Sequence, residues 1–150
     1  MSVRVVVAGL LVGVLGILTT FAAHFAENLI FHQIEKFIQN YPEAFPLPPH
    51  QATFWSWVVT LWIGLLFGFL YSLARPAGGL RAAALLGLVC WLGFVVPFQA
   101  LQFLWTQTSL YALGASAVGY LLQLVLGGLI LARMLKPAQP AASETVQRPF

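Results

Sequence analysis

The chain has 150 residues, about one domain by size, with 60% hydrophobic and 7% charged side chains and a formal net charge of +3. A soluble domain needs a polar surface that so few charged residues cannot supply, so the composition excludes a soluble globular protein and points to a polytopic membrane protein. The small positive charge then follows from membrane topology and not from a nucleic-acid partner.

A bilayer core takes about 20 apolar residues as a helix, because no backbone group facing lipid can go unpaired. The first candidate starts at Val3. The apolar run from Val5 to Ala23 follows Arg4 but exceeds the ~7–15 residues of a secretory signal core, and no small-x-small cleavage site leads into a polar mature region. It reads as a retained helix. Helical character continues through HFAENLIFHQIEKF (24–37) to Asn40, and Tyr41-Pro42 ends it, since proline disfavours helical geometry in the residue before it. A first helix over 3–40 would be about 57 Å long and would project roughly 20 Å beyond the hydrocarbon.

Pro46, Pro48 and Pro49 predict a stiff, extended return through an outer loop at 41–53. The second helix is expected over 54–73, the third over 80–105 and the fourth over 110–135. A tight turn, Arg75-Pro76-Ala77-Gly78-Gly79, and a polar turn, Thr106 to Ser109, separate them. Residues 1–136 form one four-helix transmembrane domain in this reading. The Pro- and Ala-rich tail, 137–150, is expected to be disordered and cytoplasmic.

With four crossings, Arg4, Arg75, Arg81, Arg133, Lys136 and Arg148 fall on one side and only Lys36 on the other. The positive-inside bias then puts both termini in the cytoplasm and the 26–53 segment outside. Trp55, Trp57, Trp105 and Tyr111 would mark the outer boundary and Tyr71 the inner one. The expected fold class is all-α: an integral membrane four-helix bundle, N-in and C-in, with a long first helix projecting outward.

Two of the four carboxylates and two of the three histidines lie in the 24–37 stretch. On a helical wheel His24, Glu27, Asn28, His32, Glu35 and Gln39 share an arc of roughly 140°, opposite Phe25, Leu29, Ile30, Ile34 and Phe37. His24 with Glu27 and His32 with Glu35 have metal-ligand spacing. The two pairs are nevertheless about 12 Å apart along the axis, too far for one ion. A solvated face outweighs a metal site at His24, Glu27, His32 and Glu35. Haem would need a second axial histidine at the level of His24, which the chain lacks. No cofactor is expected. Phe31, His32, Glu35 and Phe37 form the candidate surface for a protein partner.

The predicted hydrocarbon region holds no Asp, Glu, Lys or Arg, which argues against ion-coupled transport. Gln123 sits near mid-bilayer and needs a hydrogen-bond partner there. Pro97 should kink the third helix and open an outward cleft, with His24, Gln99, Gln102 and Trp105 as the candidate ligand site for a lipid, quinone or other amphiphile. Cys90 is the only cysteine and reads as a small packing hydrophobe. No catalytic triad or phosphate-binding loop is found, so the expectation leans away from an enzyme.

Gly9-x-x-x-Gly13, Gly64-x-x-x-Gly68, Ala83-x-x-x-Gly87 and Ala115-x-x-x-Gly119 give every helix a face suited to close packing. The stretches GLLFGFLYSLARPAGG and LLGLVCWLGFVVP resemble a set of uncharacterised small bacterial membrane proteins with four helices. That resemblance covers about a third of the chain, implies a bacterial inner-membrane location and carries no activity. The leading expectation is a structural, accessory or interaction subunit of a membrane assembly, in contact with the lipid bilayer and other membrane proteins. The alternative is a binder of a lipid, quinone or other amphiphile in the outer-leaflet cleft near Pro97, Gln99 and Gln102.

Overall fold

The computed structural model describes residues 2–42, 47–74, 76, 78–105 and 109–135. The expected disordered tail, the basic residues Arg75, Lys136 and Arg148, Pro46 of the expected outer loop, most of the 106–109 turn and the side chain of Trp105 lie outside the described residues. The chain is all-helical, with no strand among the described residues. Its elements are α1 (Val3–Ile30), α2 (Gln33–Asn40), α3 (Pro49–Ala74), α4 (Gly79–Cys90), a π-helical turn (Trp91–Val95), α5 (Val96–Trp105) and α6 (Leu110–Met134). Four stretches are long and apolar enough to cross a membrane: Val3–Ile30, His50–Ala74, Gly79–Leu104 and Leu110–Met134. Large apolar side chains such as Leu18, Phe21, Val89, Phe94 and Leu104 stand exposed around them, an arrangement suited to lipid and not to water.

The first helix does not run to Asn40. It stops at Ile30, where His32 takes a left-handed conformation (φ 53°, ψ 23°) and both Phe31 N–H and His32 N–H close onto the Glu27 carbonyl at 2.8 and 3.3 Å. A left-handed residue just past a helix end is a common stop, and it redirects the chain. α2 then starts with its first backbone N–H, that of Gln33, bonded to Glu27 Oε1 at 3.1 Å. Phe21, His24, Phe25 and Asn28 of α1 line one recess together with Ile34, Glu35, Ile38 and Gln39 of α2. The second helix therefore doubles back beside the first and does not extend a rod. A wheel cannot anticipate this, because it assumes one straight axis and here a single left-handed residue redirects the chain.

Successive long helices run antiparallel, and the close-packing faces are spent inside the chain. Gly9 and Gly13 of α1 meet Gly64 and Gly68 of α3, and a Cβ placed on Gly64 would collide with the Gly13 and Gly9 backbone. Gly119 lies on Thr20, tying α6 to α1. Gly87 of α4 lies on the Leu124 carbonyl, and Gly128 of α6 on the Ala83 carbonyl. Such approach lets dispersion and weak polar contacts act between helices where no hydrophobic driving force separates protein from lipid. The core comprises Ala8, Val12, Phe67, Tyr71, Ala83, Cys90, Leu124 and Leu131. Tyr71, expected at a membrane boundary, is only 6% exposed and belongs to this core.

In space the order is α3, α1, α6, α4: α1 packs along both α3 and α6, and α4 packs on α6. α3 touches α6 only briefly and makes no extensive contact with the α4–α5 arm. The bundle is thus closed on three sides and open on the fourth.

Candidate functional site: a lateral groove and a buried polar seam

The open side is a groove of about 370 Å³. Phe67 of α3 forms part of one wall, Cys90, Phe94, Phe98 and Gln99 of the α4–α5 arm the other, and Tyr120 and Leu124 of α6 the floor. Local sequence explains its shape. Pro97 has no N–H to give the Gly93 carbonyl, and the helix accommodates this with a wider turn in which Val96 N–H bonds the Trp91 carbonyl five residues back. Trp91 Nε1 donates to the Ala117 carbonyl at 2.8 Å and pins this turn to α6. The arm past the turn is left apart from α3.

Gln99 lines the groove, and its Oε1 is buried with no hydrogen-bond partner among the described residues. Phe98 lies beside it. Gln102 is half-buried farther along α5 and is not among the lining residues. His24 is elsewhere, on the α1–α6 seam. The structure therefore brings Gln99 together with Tyr120 and Cys90, which the sequence had not linked to it, and separates it from His24.

That seam holds most of the polar side chains inside the bundle. Gln123 is fully buried over Gly16, and its Nε2 donates to the Val12 carbonyl at 3.3 Å and the Thr60 carbonyl at 3.2 Å, joining α6 to α1 and α3. Thr19 Oγ1 donates to the carbonyls of Gly119 at 2.9 Å and Gly16 at 3.2 Å. His24 Nδ1 lies 2.9 Å from the Thr20 carbonyl, which can only accept, so this nitrogen carries the proton. In the neutral ring Nε2 then accepts from Ser116 Oγ at 3.3 Å. Glu27 follows one turn on, and only 7% of it is exposed.

The expected solvated face is corrected at this point: His24 and Glu27 turn inward onto α6, while Phe25 and Leu29 face outward. The reason is the surround. Where lipid is the solvent, the polar arc of a helix turns toward protein and the apolar arc outward. The spacing carried a signal for this pairing, since Gly16, Thr20 and His24 on α1 recur every four residues, and Ser116, Gly119 and Gln123 on α6 recur every three or four.

His32 and Glu35 stay exposed, with Glu35 Oε1 accepting from Gln39 Nε2 at 3.4 Å. Phe31 pairs with Tyr111 of α6 at 5.9 Å between ring centroids, and Phe37 with Tyr41 at 5.1 Å. Among the described residues no three His, Cys, Asp or Glu side chains come together as a metal site. Comparison with protein-family models, curated proteins and solved structures finds no match to this chain.

Proposed function

We propose that the chain is a multi-pass protein of a bacterial inner membrane, with both termini cytoplasmic, that binds a hydroxyl-bearing amphiphile, a quinol or a lipid, in the lateral groove between α3 and α5. One observation carries this reading: the buried, unpartnered Oε1 of Gln99 in a groove otherwise lined by apolar and aromatic side chains. Leaving an amide oxygen without a donor costs about 1–3 kcal/mol, which a ligand hydroxyl would recover. The apolar walls suit a chain or ring entering sideways from lipid, and about 370 Å³ is at the small end of ligand pockets. The orientation rests on Arg4, Arg81 and Arg133 at the end shared by the termini, with Lys36 at the other.

A second reading, an accessory or interaction subunit of a membrane assembly, draws its support from α2, where His32, Glu35 and Ile38 are exposed. The small-residue faces no longer favour it, because they are occupied within the chain.

Native mass spectrometry of gently extracted protein tests the first reading. The wild type is expected to carry a bound amphiphile or to take up an added quinol analogue saturably. Gln99→Leu should weaken that binding roughly three- to tenfold, the worth of one neutral hydrogen bond. Equal binding by the two proteins, or none by the wild type, would refute it.

A further inference from the structure

A second pocket, of about 360 Å³, lies on the α1–α6 seam at the end of the bundle that carries α2. Ala23, Glu27 and Phe31 line it from the α1 side, and Tyr111, Gly114 and Val118 from α6. Glu27 is more than nine-tenths buried. Its Oε1 is used at the start of α2, but Oε2 is buried with no hydrogen-bond partner among the described residues. Among the described residues no basic side chain lines this pocket. A carboxylate oxygen shut away from water without a donor is among the costliest groups a fold can hold, so this position calls for a cation that brings its own N–H.

We propose that Glu27 is the anchor of a binding site for a primary alkylammonium group, whose nitrogen donates to Oε2 while its hydrocarbon chain lies along the apolar wall of α1 and α6. The chemistry selects this class. A divalent metal requires several oxygen or nitrogen ligands, and one carboxylate among apolar side chains does not provide them. A quaternary ammonium has charge but no N–H for Oε2. The Phe31 and Tyr111 rings add π faces that favour a cation beside the carboxylate. Phe31 is 53% exposed, and a displacement of its ring to admit the head group is part of the proposal. An aminoethyl phospholipid and a free alkylamine share this chemistry. The site is independent of the Gln99 groove and stands or falls separately.

The test uses the full-length protein in detergent micelles, with dodecylamine, dodecanol and dodecyltrimethylammonium as probes and thermal stability together with calorimetric titration as readouts. In the Gln99→Leu background, whose groove has lost its acceptor for a hydroxyl, dodecylamine is expected to bind saturably and raise the unfolding temperature, with the other two at least tenfold weaker. Glu27→Gln keeps an oxygen for Gln33 N–H but loses the charge, and should weaken dodecylamine binding roughly ten- to a hundredfold, the range of a charge-assisted bond. If that variant does not fold, Tyr111→Leu is the substitute and should weaken dodecylamine severalfold through loss of a ring. Gln99→Leu should change nothing at this pocket. Equal binding of dodecanol or dodecyltrimethylammonium in the Gln99→Leu background, or dodecylamine binding there undiminished when Glu27→Gln (Tyr111→Leu where that serves) is added, would overturn the assignment. Reconstitution in vesicles of ethanolamine or choline phospholipids separates the sources. Competition against dodecylamine by the ethanolamine lipid alone identifies a lipid head group, and no competition by either lipid identifies a free amine.

Discussion

Gln123 and Gly16 form one unit although they sit on different helices. The amide of Gln123 occupies the space a Cβ at position 16 would need, and its Nε2 reaches carbonyls on α1 and α3. Interhelical hydrogen bonds in a membrane contribute about 0.6–2 kcal/mol, and both carbonyl acceptors belong to helices whose backbones already bond internally. Gln123→Leu removes those bonds but also removes Oε1, which has no partner among the described residues, so it should cost only about 1 kcal/mol. Gly16→Ala drives a methyl group into the amide and forces either the side chain out or the helices apart. It should cost more, about 2 kcal/mol or above. Unfolding in mixed micelles with increasing denaturing detergent ranks the two. A larger loss for Gln123→Leu would mean that the amide, and not the close approach, holds this crossing.

At the scale of elements, the membrane helices were legible and their breaks were not. Apolar runs bounded by Gly, Pro and charge placed α3, α4–α5 and α6 to within a few residues, because the length of an apolar helix is dictated by the bilayer. The stop at His32 escaped, since nothing in an amphipathic pattern distinguishes a straight helix from one broken by a single left-handed residue. Pro97 did announce a disturbance in the third membrane helix, but the form it takes, a π turn held by Trp91 on Ala117, depends on α6 being alongside. Pro97→Ala restores an N–H to the Gly93 carbonyl and removes the cause of the wide turn. Loss of one extra residue per turn rotates the remainder of the helix by about 100°, carrying Gln99 away from α3. The variant is expected to be at least as stable as the wild type yet to lose most amphiphile binding in the groove, read by native mass spectrometry. Retained binding would show that the π turn does not set the position of Gln99.

For the molecule as a whole, the chain order of contacts decides where function can reside. α1 lies between α3 and α6, and α4 packs on α6, so one flank remains open to the surround while Thr19 and Gln123 of the polar seam are sealed within. α2 is peripheral to this arrangement. Replacing residues 31–45 by a Gly/Ser linker of equal length should therefore leave the long helices folded, by circular dichroism and by the groove's ligand binding. If the chain serves as an accessory subunit, the same replacement should release proteins that co-purify with it. Loss of the helical fold itself would show that α2 is structurally required and not peripheral.

Composition determined that the long apolar runs form membrane-length helices, and the run lengths placed α3, α4–α5 and α6 to within a few residues, since both follow from the solvation of the backbone and depend only on local sequence. Gln123 was also recognisable as a polar group needing a partner, and Gln99 as a candidate for a ligand. Which of them found a partner was decided by tertiary structure. Gln123 met carbonyls on two neighbours, Gln99 met an open flank, and Glu27 was carried from an expected water-facing arc into the α1–α6 seam. Helix rotation and neighbour order are set by the sum of many weak contacts between faces, chiefly the glycine crossings, and no single stretch of sequence contains that sum.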